Sequence, residues 1–407
     1  MKRVAASIVL FFFLQAAIFE NPALGYLAQS TIPVAGGCPQ PDRWNLSVSS
    51  PLNRQWSTSL SPINTTVLTV AAAGSAAQLT EIEQVISASF GAWAGVTGTT
   101  FNATAYTGLF APLVRVSAAN SCTNDTESNV DGLNTICFNQ ASMGFTSGVL
   151  AFTRTITANA ADVSVGASAT AAFPGQILDT DTLFRNDGQA VFATPAALAT
   201  PQGAGAYDLE SLLAHELGHW FGLDHSGVWR AIMFPFAPPP GQFLGDRPTA
   251  QVPDGPLADD DRTGIRVSYP DPADAVNVGT IQGHVLPANP FALAIIPPPS
   301  SGTPVTGIFG AQVVAVDDDT GAVIAATLGG WSCNPANPPT QFDGTYQLGR
   351  LPVGHSYNIY AEPLVGLAEP SDFSEALGDL CMSGGTTECT TPAVDTNFNA
   401  RTRPSGP

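Results

Sequence analysis

His215-Glu216-Leu217-Gly218-His219-Trp220-Phe221-Gly222-Leu223-Asp224-His225 is the stretch on which the reading of this chain turns. Residues four apart share one face of an α-helix, so His215 and His219 can direct imidazole nitrogens to a single point. A third ligand further along the same helix would lose the tetrahedral angle. Gly222 permits a sharp turn, and His225 then approaches from outside the helix axis. Zinc takes imidazole nitrogens at about 2 Å, and three protein ligands leave one position open, the mark of a catalytic ion. Glu216, beside the first ligand, is placed to take a proton from water and hand it to a leaving amine. The chain has five histidines, and three of them fall at ligand spacing here, which solvated surface residues do not explain. The expectation is amide hydrolysis at one zinc ion, with ligands His215, His219 and His225 and Glu216 as general base.

Working outward, Leu209, Leu212, Leu213, Leu217 and Trp220 recur at helical spacing, which predicts a helix over 208–220 that Gly222 stops. Ile82, Val85, Ile86, Phe90 and Trp93 predict a second amphipathic helix over 81–93, with Thr80 as N-cap and Glu83 completing a capping box. Between them the chain reads as short strands over 133–138, 149–156 and 177–184, with a further strand-like stretch at 67–70. After the histidines come a Pro-rich loop over 235–240, a short helix over 257–267 and a linker at Tyr269-Pro270-Asp271-Pro272. Beyond it the pattern is all-β, with strands over 279–285, 311–316, 343–348 and 356–361 and a turn at Asp317-Asp318-Asp319-Thr320-Gly321.

Composition limits the partners. A formal charge of −19, from 14 Lys+Arg against 33 Asp+Glu, opposes nucleic acid and anionic membranes. Residues 1–25 open with Lys2 and Arg3, run apolar, and end on small residues, the layout of a secretory signal peptide; the apolar run is shorter than the roughly 20 residues that span a bilayer. Export to the extracellular space follows as an expectation. Cys38, Cys122, Cys137, Cys333, Cys381 and Cys389 suit an oxidising compartment, with Cys122/Cys137 and Cys381/Cys389 as the pairs nearest in sequence.

With these residues in view, the chain resembles the matrixin family of the metzincin clan. Ala231-Ile232-Met233-Phe234-Pro235 lies at matrixin-like spacing after His225, with Ser226 directly behind the third histidine. The resemblance implies Met233 as the methionine of a turn below the zinc. Leu257-Ala258-Asp259-Asp260-Asp261-Arg262 is similar to the family's C-terminal helix, its paired aspartates matched by Asp260 and Asp261. The Phe90/Trp93 helix, Asp131-Gly132-Leu133-Asn134, Gly148-Val149-Leu150-Ala151 and Ile177-Leu178-Asp179-Thr180-Asp181 follow in family order, so the likeness spans about 41–272. It implies an edge strand that pairs with extended substrate, with Leu150 and Ala151 as candidates, and a specificity pocket lined by Phe234, Pro235 and Phe236. Ala237 stands where the family carries an aromatic residue. Only His284 and His355 lie outside the motif, both in the C-terminal part, so one zinc is expected in the catalytic domain. Calcium is a second candidate ion, with Asp125, Asp131, Asp179 and Asp181 within reach; exposed turn residues are the plainer reading of these four. Cys38-Pro39-Gln40-Pro41-Asp42 is similar in part to the inhibitory cysteine switch, and a disulfide at Cys38 is the competing reading.

The expected architecture is α+β: a signal peptide over 1–25, a short leader over 26–40, and a metzincin-type peptidase domain over 41–272 with a twisted mixed sheet, long helices and an active-site helix. A small β-sandwich over 277–403 follows, similar to transthyretin-like or carboxypeptidase-regulatory-like domains through Asp343-Gly344-Thr345-Tyr346 and Leu351-Pro352-Val353-Gly354. A monomer that cleaves extracellular proteins or peptides is expected. The alternative is a zinc-stabilised binding or adhesive protein acting through the sandwich, against which the intact Glu216 argues.

Overall fold

In the computed structural model, described residues are 27–31, 33, 38–46, 54–57, 67–100, 113–116, 133–138, 145, 147–161, 170–245, 255–287, 307–308, 310–330, 332, 343–362 and 373. Residues 1–25, expected to be a signal peptide, and Asp125, Asp131, Cys122, Cys333, Cys381 and Cys389 lie outside them.

Five strands form the main sheet: β1 (Arg54–Ser57), β2 (Val114–Val116), β3 (Asn134–Cys137), β4 (Ala151–Thr157) and β5 (Ile177–Phe184). Their order is β2-β1-β3-β5-β4, parallel throughout except for β4, which runs antiparallel to β5 at the edge. Every residue of β5 is buried, as a strand covered on both faces requires. Asp179 and Asp181 therefore belong to a strand interior and not to an exposed turn. Asp181 accepts from the Thr135 N–H at 3.1 Å and from Arg154 at 3.0 Å, so the surrounding strands account for its charge.

Two helices carry the core against this sheet. Helix α1 (Ala76–Ala94) starts earlier than the Thr80/Glu83 pair suggests. Ser75 is the N-cap, accepting from Gln78 N, and the Gln78 side-chain oxygen accepts in turn from Gly74 N at 2.6 Å. Thr80 instead donates to the Ala76 carbonyl, and Glu83 accepts from the Trp56 indole at 3.1 Å. The stripe Ile82, Val85, Ile86, Phe90 and Trp93 is buried as expected. Helix α2 (Leu209–Trp220) is capped by Asp208, which accepts from Ser211 N at 3.0 Å, and every residue from Ser211 to Trp220 is buried. Three indole and phenol groups fasten it: Trp93 Nε1 donates to the Ala214 carbonyl, Trp44 Nε1 to that of Trp220, and the Tyr269 hydroxyl to that of Phe221, each at 2.8 Å. The three aromatic side chains thus satisfy carbonyls and fill the core together.

Helix α3 (Asp259–Ser268) leads through a tight 3₁₀ turn into the C-terminal strands: β6 (Val278–His284), β7 (Gln312–Asp317), β8 (Val323–Leu328), β9 (Thr345–Pro352) and β10 (Tyr357–Glu362). β6 pairs antiparallel with β9, and β7 lies antiparallel between β8 and β10. The two sheets share a small core of Val313, Ala315, Ala325, Leu348 and Leu351, with Ile281 and Ile359 packed against it. The expected linker is not a free tether, because Arg350 donates to the Asp271 carbonyl at 3.1 Å.

Residues 27–31 of the expected leader lie against the α2 exit, with Ala28 bridging to Leu223 and Gln29 N donating to the Gly222 carbonyl at 2.9 Å. Cys38 and Cys137 are both disulfide-bonded. Cys38 consequently has no free thiol to act as a switch, which decides between its two sequence readings.

Candidate metal centre

Helix α2 places His215 and His219 one turn apart on the face that looks toward β4. The helix ends where Gly222 adopts φ +83°, and its N–H returns to the His219 carbonyl at 2.8 Å while Leu223 N reaches that of Gly218 at 3.0 Å. A side chain at 222 would be strained by that φ, and its Cβ would lie 2.1 Å from the Asp42 carbonyl oxygen. The turn carries His225 back over the helix. Ring centroids of the three histidines are 4.9, 5.2 and 4.8 Å apart, and one nitrogen from each lies within 4.8 Å of the others.

The donor chemistry fits a divalent ion. His215 Nδ1 faces the Ile232 carbonyl at 2.7 Å and His219 Nδ1 that of Leu223 at 2.8 Å. A carbonyl only accepts, so each Nδ1 carries the proton and each Nε2 keeps its lone pair for a metal. Burial, reinforced by His225, drives His215 from 6.5 down to about 3 and His219 well below its ordinary value. Both rings are thus neutral at physiological pH, as ligands must be.

Beneath the rings, Met233 packs its sulfur against Gly218, where a Cβ would sit 2.1 Å from Sδ. The turn that carries Met233 is held by Asp261, which accepts from Ile232 N at 2.7 Å, Met233 N at 3.2 Å and Ala258 N at 2.8 Å. Its neighbour Asp260 accepts from the Ser226 hydroxyl at 2.5 Å. The paired aspartates therefore brace the loop from both ends.

Glu216 is 4% exposed and lines the same cleft as the histidines. Burial raises it from 4.5 to about 8, against the pull of a hydrogen bond from Thr153 Oγ1 to Oε2 at 2.8 Å. Thr153 sits on β4 and is the site residue the sequence reading missed; a threonine in an alternating strand carries no local mark of it. Gln29, 3% exposed, also lines the cleft, although its segment reads as a leader. The cleft measures about 550 Å³. One wall is Gly148, Val149, Leu150 and Ala151 at the start of the edge strand, and the other includes Leu212, Phe234, Pro235, Phe236 and Ala237. All five residues expected to meet substrate therefore face one space with the histidines and Glu216.

Comparison with known proteins agrees with this geometry. The metalloendoproteinase 1 of Glycine max is 44% identical over 64 residues, a stretch that covers 16% of this chain and only 17% of the relative. The family model for matrixins matches residues 62–269, just over half of the chain, and the match contains α1, the main sheet from β2 to β5, the three histidines, Met233 and α3. The chain belongs to the matrixin family.

Proposed function

We propose that this protein is a secreted zinc endopeptidase that hydrolyses peptide bonds of extracellular proteins, with His215, His219 and His225 holding one zinc ion and Glu216 as general base. The observation that carries the reading is the convergence of three imidazoles, two of them locked as neutral Nε2 donors, beside a buried carboxylate in a substrate-sized cleft. When bound, zinc supplies an acidified water and polarises the scissile carbonyl. Glu216 takes the proton of the attacking water on its carboxylate and delivers it to the amide nitrogen as the bond breaks. Its raised pKa suits the delivery of that proton to the leaving nitrogen. Thr153 orients the carboxylate. The outer edge of β4, beginning at Leu150 and Ala151, offers backbone groups to an extended substrate, and Phe234, Pro235 and Phe236 select an apolar side chain beyond the scissile bond. Secretion rests on the layout of residues 1–25 and agrees with the disulfides at Cys38 and Cys137. The two C-terminal sheets around one core support a sandwich of the transthyretin-like or carboxypeptidase-regulatory-like kind.

The test is to strip the purified chain with a chelator, add back one equivalent of zinc, and profile cleavage of a peptide library by mass spectrometry. Cleavage that stops on chelation and returns with zinc is expected. Cleavage unaffected by chelation would refute the reading.

A further inference from the structure

His215 and His219 sit on a buried helix with their rings fastened to carbonyls, whereas His225 stands past the helix end, on a loop, and is the least buried of the three. The buried Asp224 takes the His225 N–H at 2.7 Å and faces its Nδ1 at 3.8 Å, and where that pair sits depends on what holds the rest of the loop. Ser226, the next residue, donates its hydroxyl to Asp260 Oδ2, and its N–H reaches the Met233 carbonyl at 2.8 Å. The other oxygen of Asp260, a fully buried carboxylate, accepts from the Ala326 N–H on β8 at 2.6 Å. One carboxylate thus joins the ligand loop to the C-terminal sheet.

The join extends along an element face. β8 is an edge strand whose pairing with β7 skips Ile324 at a bulge, and the Ile324 carbonyl and the Ala326 N–H both meet α3. Three residues on from Asp260, on the same face of α3, Thr263 Oγ1 donates to the Ile324 carbonyl at 2.8 Å. Helix α3 therefore takes up the open edge of β8 with one acceptor and one donor. A third contact reaches the loop directly: Gln312, 2% exposed on β7, packs on Gly227, where a Cβ would lie 2.7 Å from Oε1 and 2.9 Å from Cδ. The seam between the loop and the sheet, lined by His225, Ser226, Gly227, Gln312 and Ala326, encloses only about 10 Å³. Covering an exposed edge would need only a helix or a loop laid against it; it would not need a carboxylate shared with the residue next to the third histidine.

We infer that the C-terminal β unit is a positioning element of the metal centre, with β8 and Gln312 clamping the loop that carries His225. The inference rests on the three histidines being the zinc ligands. Failure of that reading would appear in the parent chain as absence of zinc binding; failure of the inference would appear only as a lack of difference between parent and variants.

The experiment uses the full chain and measures zinc affinity by competition with a chromogenic chelator. Gly227→Val puts a side chain into the space that the buried Gln312 amide fills and is expected to weaken zinc binding about tenfold or more, in the range seen when supports of metal ligands are removed. Adding Gln312→Ala to Gly227→Val frees the space and is expected to bring affinity back to within about threefold of the parent. Ala326→Pro removes the N–H that faces Asp260 on the outer side of an edge strand, where proline is tolerated, and is expected to weaken zinc binding as well. A double variant as weak as Gly227→Val would overturn the inference, and so would a folded Ala326→Pro chain with parental affinity. Should Gly227→Val not fold, Ala326→Pro decides by the same readout.

Discussion

Among the described residues, two clusters bring three ligand-type side chains within 4.8 Å of one another: His215, His219 and His225 on α2 and its exit turn, and Asp317, Asp319 and His355 at the tip of the C-terminal sheet. They differ in what their atoms are already doing. In the first, backbone carbonyls occupy the Nδ1 positions and leave two Nε2 lone pairs aimed inward from buried rings. In the second, Asp317 Oδ1 accepts from Asp319 N at 2.8 Å and Thr320 N at 2.9 Å, and Oδ2 faces His355 Nδ1 at 2.7 Å. Asp319 and His355 are exposed. The N–H groups of Thr320 and Asp319 hold the Asp317 carboxyl below its ordinary range, as a turn requires. Proximity alone does not make a metal site; directed, unspent lone pairs do.

The most severe way to break the contrast is His219→Ala, which removes one of three ligand nitrogens and is expected to abolish zinc retention after dialysis, while His355→Ala keeps one zinc per chain by elemental analysis. Equal zinc loss in both would show that the second cluster also binds. Next is Gly222→Ala, which places a Cβ at φ +83° and 2.1 Å from the Asp42 carbonyl. A loss of more than about 1 kcal/mol in denaturant unfolding is expected, whereas Gly321→Ala in the second cluster's turn, at φ +72° with nothing within 4 Å, costs less.

A pH effect separates the regions further. Burial first, and then the Asp261 charge, raises Asp260 from 3.8 to about 8; burial raises Asp261 to about 6. The folded chain holds these protons after the unfolded chain has released them, so their contribution to stability is whole below about pH 4 and is lost as pH rises through 6 to 8. Asp260→Asn keeps an acceptor for Ala326 N, and its melting temperature in chelator should fall less than the parent's between pH 5 and pH 8.5. A parallel fall in both would count against the buried, protonated Asp260. The smallest effect is expected from Thr153→Val, which removes the hydrogen bond to Glu216 Oε2. A loss of about 0.5–1.5 kcal/mol, or roughly twofold to tenfold in kcat/KM, should follow with zinc content unchanged.

What was legible in the sequence depended on the range of the interaction. The histidines, their helix and the Gly222 stop follow from local periodicity, and β5 occupies the expected residues, Ile177–Phe184. Strand β8 has no local mark because Val323-Ile324-Ala325-Ala326-Thr327-Leu328 is a short apolar run without alternation, and its outer edge is satisfied by α3, over sixty residues away in the chain. The start of α1 differs from the local signal because Thr80 and Glu83 have capping-box spacing while Ser75 and Gln78 hold the cap. Asp179 and Asp181 resembled turn residues because nothing local marks a carboxylate destined for a strand interior, where Arg154 meets Asp181 from the neighbouring strand. Thr153 and Gln29 reach the cleft only through tertiary contacts.

The central claim is tested most directly by comparing the full chain with its Glu216→Ala variant on the same peptide library, with zinc content measured in both. One zinc is expected in each, with a kcat/KM lower by about 10²–10⁴ in the variant, the scale of a lost general base. Equal cleavage by the two zinc-loaded proteins would contradict it.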